Sequence, residues 1–451
     1  MKTHYLLVSL VTVLAAPLTH AAVSADDAAK LKTTLTPLGA ERAGNADGSV
    51  PAWDGGMTKV PAGYKSGDPR PDPFAAEKPL YSIDAKNMSQ YASKLTDGVS
   101  ALMKKYPEYR IEVYPSHRSG AAPQWVYDNT FKNATRATLV DDGQGVDGAY
   151  GGIPFPIPKD GYEVIQNHRL AWTGYSIVSN SSAWVVTSDG KRSLASAGLQ
   201  RIHRPYYDEN GSLESFKGYY NYSKFYATDP GSKAGESIME HASINSKTAR
   251  GLWQYLVGQR RVRKGPSVAY DTPDAVTSGI GLVDEAFMLF GPLDKHELKL
   301  VGKKEMYIPY NNNRADAAKV AELMTPKTLN PSLVRWELHR VWEVEATLAQ
   351  GKRHVVPKRK YYVDEDTWQI IMIDGWDANN ELVRTNFTLT LLAPDIPALL
   401  GKTHWGGYDL RTGAYYLNLA TNEMSIQYKQ AVPPLTTSDF SPDALANEGT
   451  R

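Results

Sequence analysis

A long alternating segment from Arg335 to Leu348 constrains the fold of this chain more than any other feature of the sequence. Period-two alternation places successive side chains on opposite faces of a pleated strand. The polar positions are Glu337, His339, Glu343 and Glu345, and the opposite positions are Trp336, Leu338, Arg340, Trp342, Val344, Ala346 and Leu348. One polar face and one aromatic, apolar face are typical of an antiparallel sheet that wraps an apolar interior. Because such a sheet can enclose a ligand in place of its own side chains, the segment favours a ligand-holding β protein.

Further strands and a few helices are predicted on both sides of this segment. Alternating or short apolar patterns indicate strands at Tyr219–Tyr226, Leu252–Arg263, Lys299–Tyr307, His354–Val363, Trp368–Asp374 and Arg384–Leu392. Helical apolar spacing indicates helices at Lys86–Lys105, Leu282–Phe290 and Arg314–Met324. Short gaps rich in turn residues, such as Asp364-Glu365-Asp366, imply antiparallel neighbours. The predicted fold class is therefore mainly β (α+β), with a large curved antiparallel sheet that forms a half-open β-barrel with inserted helices.

Residues 1–22 have the pattern of a secretory signal peptide. Lys2 supplies the positive charge, and Thr19-His20-Ala21 offers small residues for cleavage. The apolar stretch Leu6–Ala16 is shorter than the roughly 20 residues that span a bilayer, which argues against a membrane anchor. No transmembrane segment is predicted in the mature chain. We therefore expect a protein of the bacterial periplasm, either free or peripheral to a membrane.

The mature chain, residues 23–451, is predicted to form a single domain, because neither an internal repeat nor a clean linker interrupts it. Residues 23–140 are expected to be extended and helical, since Pro and Gly are frequent in their first part. Residues 141–435 are expected to form the main sheet. The polar residues 436–451 are expected to be a flexible tail.

The composition excludes several classes of protein. The chain has 50 basic and 49 acidic residues, and loss of Lys2 with the signal peptide makes the two equal, so bulk attraction to nucleic acid is not expected. The absence of cysteine excludes disulfides, cysteine-ligated zinc and thiol catalysis. The 27 Tyr and 10 Trp residues each combine a large apolar body with a polar tip, which suits the wall of a cavity.

No sequence motif indicates an established chemistry. Gly143–Gly148 matches the letters of a dinucleotide fingerprint, but Pro154 and its neighbours prevent the helix that must follow, so a loop is predicted. Nucleophile elbows, zinc-binding helices and Walker loops are absent. Glu337, His339 and Glu343 are expected on a solvated strand face, although carboxylates paired for glycoside hydrolysis stay open because their separation is a tertiary property. No catalytic residue, metal or cofactor is predicted, and the chain is not expected to be an enzyme.

Six residues of the alternating strands and their hairpins are predicted to contact a ligand. They are Trp336, Arg340, Trp342, Tyr362, Trp368 and Trp376. Arg340 interrupts the apolar positions, so it either pairs with a carboxylate, meets an anionic ligand head or turns outward at a bulge. Two basic stretches, Arg260–Lys264 and Lys352–Lys360, are expected either to protect strand edges from aggregation or to contact anionic lipid or an acidic partner.

The segment Gly151–Pro158 alternates prolines with bulky apolar residues. Three alternating prolines force an extended path with little entropy left to lose. The segment is therefore expected to be either a rigid strut across the mouth of the barrel or a docking segment for a partner.

Several long motifs, in order along the chain, resemble one protein family. They are Gly151-Gly152-Ile153-Pro154-Phe155-Pro156, Asn167-His168, Gly258-Gln259-Arg260-Arg261-Val262-Arg263, Gly302-Lys303-Lys304-Glu305-Met306-Tyr307-Ile308-Pro309-Tyr310-Asn311 and Arg335-Trp336-Glu337-Leu338-His339-Arg340-Val341-Trp342. Together they resemble the bacterial domain-of-unknown-function family 1329 over nearly the whole mature chain. The resemblance implies a fold like that of the outer-membrane lipoprotein-sorting proteins LolA and LolB, which are half-open antiparallel β-barrels with helices over an apolar cavity. It also implies a setting beside exporters of the resistance-nodulation-division (RND) type and an outer-membrane partner, and it brings no catalytic residues.

The leading hypothesis from the sequence is a periplasmic carrier or binding protein for a lipid or another hydrophobic molecule, acting beside an RND-type exporter in envelope transport. Two alternatives stay open. One is a hydrolase that acts on the cell envelope, which requires convergent catalytic groups in a cleft. The other is a non-catalytic adaptor of an exporter complex, which requires an exposed apolar patch outside the barrel.

Overall fold

The computed structural model describes residues 22–265 and 270–449, so the predicted signal peptide, residues 1–22, lies outside the described residues apart from Ala22. Within these ranges the chain forms twenty strands, sixteen of them in one sheet. The strands are β1 (Tyr81–Ile83), β2 (Ile111–Val113), β3 (Thr138–Val140), β4 (Gly145–Asp147), β5 (Ser176–Val186), β6 (Arg192–His203), β7 (Tyr219–Asp229), β8 (Ser237–Ser243), β9 (Gly251–Leu256), β10 (Arg261–Lys264), β11 (His296–Pro309), β12 (Arg335–Leu348), β13 (Lys358–Asp364), β14 (Ile370–Trp376), β15 (Leu382–Thr388), β16 (Leu391–Ala393), β17 (Ala398–Leu400), β18 (Trp405–Asp409), β19 (Tyr415–Ala420) and β20 (Lys429–Gln430).

The helices are short and inserted between the strands. The α-helices are α1 (Ala25–Ala29), α2 (Asp97–Lys105), α3 (Gln124–Ala134), α4 (Gly161–Arg169), α5 (Asn313–Ala317), α6 (Val320–Leu323) and α7 (Pro442–Gly449). The 3-10 helices are Lys30–Lys32, Met88–Lys94, Pro205–Tyr207, Val257–Gln259, Ala275–Thr277, Val283–Met288 and Thr437–Phe440. Over the described ranges, none of the helices combines the length and the apolar character needed to cross a bilayer.

The main sheet has the order β1-β2-β12-β13-β14-β15-β18-β19-β5-β6-β7-β8-β9-β10, with β11 paired to β12 and β20 paired to β5. Its strands pair antiparallel except for β2 and β12, which run parallel over two residues. Within the described part of the chain, β1, β10 and β11 each pair on one side only, so the sheet is not closed into a barrel. The predicted mainly β fold, with a large unclosed sheet and inserted helices, is confirmed.

The strand β12 has its predicted bounds, but both of its faces are buried. The expected solvated face that carries Glu337, His339 and Glu343 is therefore wrong, because all three side chains are buried. Segments from the first third of the chain cover this face: the Ser116 hydroxyl donates to a β12 carbonyl at 2.8 Å, and the His117 N–H donates to the Glu337 carboxylate at 2.7 Å. The segment around Ser116 and His117 has no periodic pattern, so the sequence did not predict that it covers this face of β12.

Two predicted helices are divided in the structure. The segment Lys86–Lys105 contains a 3-10 helix and α2, and the chain is extended at Leu95 between them. Thr96 begins α2 as its N-cap, because its hydroxyl accepts a hydrogen bond from the Val99 N–H at 3.1 Å. The segment Arg314–Met324 is likewise divided, into α5 and α6. The extended conformations of Leu95 and Ala318 interrupt the two segments, so each apolar pattern spans two short helices.

The C-terminal segment differs from the expected flexible tail of residues 436–451. Its described part forms a 3-10 helix followed by α7. Phe440 and Leu445 are fully buried, and they pack with Tyr222 and Tyr255 on one face of β7 to β9. The sequence did not predict this packing, because Phe440 and Leu445 are isolated in a polar segment and belong to no longer apolar stripe of helical period.

Asp374 of β14 is a buried carboxyl group that makes the stability of the fold depend on pH. The Gly98 N–H and the Thr385 hydroxyl each donate to it at 2.9 Å. Burial nevertheless raises the pKa of Asp374 to about 7. In the unfolded chain the pKa of an aspartate is about 3.9. The folded state therefore binds the proton more tightly, and the free energy of unfolding falls as the pH rises between these two values, by at most about 1.4 kcal/mol per pH unit.

We expect Asp374→Asn to remove this contribution while keeping both hydrogen bonds. The amide oxygen accepts from the Gly98 N–H, and the amide nitrogen donates to the Thr385 hydroxyl, which can accept as well as donate. Urea unfolding between pH 5 and pH 7.5 should give a shallower decline in the free energy of unfolding for the variant than for the wild type. Parallel declines in the two proteins would contradict the prediction.

Candidate ligand-binding site

A cavity of about 490 Å³ lies between the main sheet and a covering segment, residues 270–290. Small-molecule sites typically have volumes of roughly 300–1,000 Å³. One wall is formed by β5 to β9 together with β18 and β19, and the other by the 3-10 helices and loops of the covering segment. The large apolar side chains in the walls are Phe225, Ile238, Leu252, Phe287, Phe290 and Trp405. The cavity is therefore of suitable size and character for a hydrophobic ligand.

The cavity stays open because the sheet wall carries small side chains. Ser181 and Ala183 of β5 lie opposite Gly198 and Ser196 of β6 in the register of the two strands. Gly198 can carry no side chain, because a Cβ atom there would lie 2.0 Å from the carbonyl oxygen of Tyr226. A core that is filled by its own residues would place large interdigitating side chains at such central positions. The composition of β5 and β6 therefore sets the volume that a ligand can occupy.

Three buried polar atoms in the cavity wall have no hydrogen-bond partner within the described ranges. They are the indole nitrogen of Trp405 and the hydroxyl groups of Ser181 and Ser237. Each buried polar group that is left unpaired costs about 1–3 kcal/mol, and native proteins pair nearly all of them. These atoms offer hydrogen bonds to a ligand that carries polar atoms as well as an apolar body.

Buried ion pairs hold the covering segment against the sheet. Asp284 accepts two hydrogen bonds from the guanidinium group of Arg359, at 2.8 and 3.0 Å. Glu285 accepts two from Arg384, at 2.6 and 2.9 Å. Although burial alone would raise it, the pKa of Asp284 lies well below its usual value because of the adjacent Arg359. In the same segment Phe287 has a left-handed conformation, with φ of 54°, which is rare for a bulky residue.

The six residues predicted to contact a ligand are not in the lining of this cavity. Trp336 and Tyr362 are buried in one part of the hydrophobic core. Trp342 and Trp368 stack on each other in another part, with ring centroids 6.1 Å apart. Trp376 is buried at the end of β14, where the ammonium group of Lys358 lies 5.2 Å from its ring. No observation tests ligand contact at these residues, so their role stays a prediction.

Arg340, the remaining member of the six, pairs with a carboxylate, which was one of the three outcomes considered. Its guanidinium group donates to Glu365 at 3.2 Å and to the carbonyl of Ala43 at 3.0 and 3.1 Å. Trp368 likewise has a partner within the protein, because its indole N–H donates to the carbonyl of Leu38 at 2.6 Å. Both side chains fasten the N-terminal chain to the sheet.

The two basic stretches have different environments. In the first, Arg261, Arg263 and Lys264 are exposed on β10, which is an edge strand of the sheet. Charged residues on an edge strand oppose pairing with other chains. In the second, Arg359 is buried in the ion pair with Asp284, so part of that stretch holds the covering segment.

The segment Gly151–Pro158 is packed inside the protein. Ile153 is fully buried, and Phe155 lies in the hydrophobic core. The side chain of Asn167 accepts from the Phe155 N–H at 2.9 Å and donates to the Phe155 carbonyl at 2.7 Å, which satisfies an extended backbone that has no strand partner. Docking of a partner would require exposed residues, so the structure favours an internal strut.

A second cluster of buried titratable groups lies beneath the N-terminal chain. Ligand atoms of His339, Asp364 and Asp366 lie within 4.8 Å of one another, an arrangement that can hold a metal ion. However, Arg118 donates to both oxygens of Asp366, at 2.6 and 2.9 Å, and His339 shares a hydrogen bond of 2.9 Å with Glu337. A guanidinium group at this distance repels a second cation. The cluster is thus an ion-pair network that ties the covering N-terminal chain to β12 and the β13–β14 hairpin.

Sequence reasoning missed five of the seven strands that form the cavity wall. The strands β5, β6, β8, β18 and β19 were not predicted individually, although all five contribute to its wall. A signal was available in Ser176–Val186 and Arg192–Gly198, where small residues recur at every second position on one strand face. Such a pattern gives only a weak hydrophobic alternation, so apolar periodicity does not indicate a strand there.

The family model described as "Protein of unknown function (DUF1329)" matches residues 82–446. The chain therefore belongs to the DUF1329 family, and the resemblance seen in its motifs is confirmed. Among curated proteins it is similar to "Uncharacterized protein PA3922" of Pseudomonas aeruginosa, with 40% identity over 440 residues, covering 96% of this chain and 95% of that protein.

Solved structures similar to this chain include two with low sequence identity. A DUF1329 family protein from Desulfovibrio piger is 15% identical, with a TM-score of 0.42, and the similarity covers 63% of this chain and 97% of that chain. A LolA superfamily protein from Nitrosomonas europaea is 12% identical, with a TM-score of 0.34, and the similarity covers 64% of this chain and 100% of that chain.

Proposed function

We propose that this protein is a carrier that binds a lipid or another hydrophobic small molecule in the cavity beneath the covering segment. The observation that supports this proposal is the volume of about 490 Å³, with large apolar side chains and unpartnered polar atoms in its walls. A ligand that leaves a membrane loses apolar burial worth about 25 cal/mol per Å², and such a cavity restores it. Transfer between membrane and carrier can then be nearly isoenergetic.

The wall near the edge of the sheet is the proposed entrance. Ile238 is 40% exposed although it lines the cavity, and Gln254, its partner on β9, is also exposed. The basic residues Arg261, Arg263 and Lys264 of the edge strand lie one strand away and would contact an anionic membrane surface. A ligand could therefore enter from a membrane at this edge without crossing water.

As the family resemblance implies, we place the carrier in the bacterial periplasm, beside an RND-type exporter and an outer-membrane partner. In this setting it would pass its ligand between the two membranes. Site-specific photo-cross-linking from position 261 in whole cells is expected to capture an envelope transport component. Cross-links to the chain itself alone would count against this part of the proposal.

Mass spectrometry of protein purified gently from its own periplasm tests ligand binding directly. We expect a lipid or hydrophobic small molecule that is retained under native conditions and released on denaturation, at about one molecule per chain. Preparations that contain no such molecule, and that take up neither a fluorescent fatty acid nor a neutral hydrophobic dye, would contradict the proposal.

The groups considered for an envelope hydrolase are committed to ion pairs. Arg335 donates to Glu337 at 2.5 Å, and Glu343 pairs with the ammonium group of Lys304. None of these groups contributes to the lining of the cavity. Their geometry favours structural roles, so we propose no catalytic function.

A further inference from the structure

A smaller pocket of about 70 Å³ adjoins the cavity and differs from it in charge. The two spaces share lining residues, among them Gln200, Ser223, Phe287, Phe290 and Leu419. The aromatic rings of the covering segment thus form a partition between the large apolar space and the small one. Because these residues line both spaces, the two spaces are direct neighbours.

Three cationic side chains converge on the smaller pocket. They are Arg169 at the end of α4, Arg204 directly after β6, and Lys402 in the loop before β18. Lys402 donates to the carbonyl of Arg169 at 3.0 Å, and Arg204 donates to the carbonyl of Gly174 at 2.9 Å. Among the ion pairs within the described ranges, none involves any of the three cations. Their partners are neutral carbonyl and hydroxyl groups.

The acidic residue in this lining is already neutralised by another cation. Glu240 accepts a hydrogen bond from Arg250 at 2.7 Å. Burial, together with the nearby guanidinium groups of Arg204 and Arg169, lowers the pKa of Lys402 to about 7. Buried cations are costly unless an anion or a set of hydrogen bonds compensates them. Arg169 and Arg204, with Lys402 when it is protonated, therefore give the pocket more positive charge than Glu240 balances, because Glu240 already pairs with Arg250.

Unpartnered hydroxyl groups point to the same conclusion independently. The hydroxyls of Thr403 and Ser181 line the pocket, are buried, and have no hydrogen-bond partner over the described ranges. Each can donate to an anionic oxygen. Arginine with its forked donors, together with a lysine, is the usual set for a carboxylate or a phosphate. The volume of the pocket suits one such group and is too small for a large apolar one.

We propose that the carried molecule is an amphiphile with an anionic head group, a carboxylate or a phosphate, which binds between Arg169, Arg204 and Lys402 while its apolar part fills the large cavity. This inference rests on the proposed carrier function and narrows its ligand class. The arrangement orients the ligand, because the smaller pocket brings together Arg169, Arg204 and Lys402, whereas the larger cavity offers the greater apolar volume. The ligand is then held head first, with its tail toward the edge of the sheet.

Titration of matched amphiphiles tests the head-group assignment. Oleate and oleoyl lysophosphatidate are compared with the neutral monoolein, which has the same acyl chain, by the change in tryptophan fluorescence. We expect the wild type to bind at least one of the anionic ligands about tenfold or more tightly than monoolein. Lys402→Met should remove most of this preference and leave the affinity for monoolein unchanged. Lys191→Met, at an exposed lysine, is the matched control and should keep the preference.

The outcomes separate the two proposals. Equal affinities of the wild type for anionic and neutral ligands would overturn the head-group assignment and leave the carrier function intact. Failure of all three amphiphiles to bind would overturn both. Inorganic phosphate is a further arm: binding of phosphate alone as tightly as lysophosphatidate would show a site for a free anion and would also overturn the head-group assignment. Unchanged thermal unfolding of Lys402→Met confirms that the variant is folded.

Discussion

Ser223→Phe is expected to abolish ligand binding without destabilising the protein. Ser223 lies on β7 and lines both the cavity and the smaller pocket, so a phenyl ring there would occupy the boundary between them. If the ring displaces four buried methylene groups of the ligand at about 0.8 kcal/mol each, the affinity falls by more than about a hundredfold. Aromatic residues are favourable in strands, so the fold should tolerate the change.

The measurement compares dissociation constants for a fluorescent fatty acid and the midpoint of thermal unfolding. Ser66→Phe is the matched control, because Ser66 is exposed in a turn far along the chain from the cavity strands. The control should bind as the wild type does. Retention of full affinity by Ser223→Phe, in a protein with an unchanged unfolding midpoint, would show that the ligand binds elsewhere and would refute the cavity as the site. The six residues predicted from the sequence would then be the next candidates for ligand contact.

The sequence predicted the strands that alternate strongly and failed where alternation is weak. The strand β12 was predicted with its correct bounds because bulky and charged residues alternate along it. The strands β5 and β6 were missed because serine, alanine and glycine occupy their cavity face. A cavity requires small side chains, and small side chains give little hydrophobic contrast. The small side chains that leave room for the cavity therefore also prevent its prediction from hydrophobic periodicity.

The residues predicted to contact a ligand lie outside the cavity lining for a related reason. Trp336 and Trp342 mark a strand that is rich in aromatic residues, but the structure buries that strand on both faces. One of these faces is covered by the N-terminal chain. Its residues Glu41 and Ala43 contact Arg340, although they lie about three hundred residues earlier in the sequence. Contacts of such long range leave no local period. The aromatic residues of this strand thus marked the hydrophobic core, and the cavity lies elsewhere along the sheet.

Arg359→Met is expected to loosen the covering segment and to destabilise the protein strongly. The substitution leaves the buried carboxylate of Asp284 without its guanidinium partner, with His354 as the remaining neighbour at 3.0 Å. Removal of one member of a buried pair typically costs about 3–5 kcal/mol, because the other charge stays desolvated. Since the pair anchors the segment that carries Phe287 and Phe290, the rate of ligand dissociation should rise as well. Urea unfolding and stopped-flow release of a fluorescent fatty acid measure the two effects.

The double variant Asp284→Leu with Arg359→Met distinguishes loss of a charge partner from loss of packing. Because both buried charges are removed, most of the stability should return, and the coupling between the two sites should be at least about 1 kcal/mol. Lys247→Met is the control for an exposed pair: Lys247 and Asp147 lie 2.7 Å apart but are well solvated, so the loss of stability should be far smaller than that caused by Arg359→Met. Fast ligand release that persists in the restabilised double variant would mean that the ion pair closes the cavity. Slow release in both variants would mean that the pair serves the fold alone and that the ligand enters without movement of the covering segment.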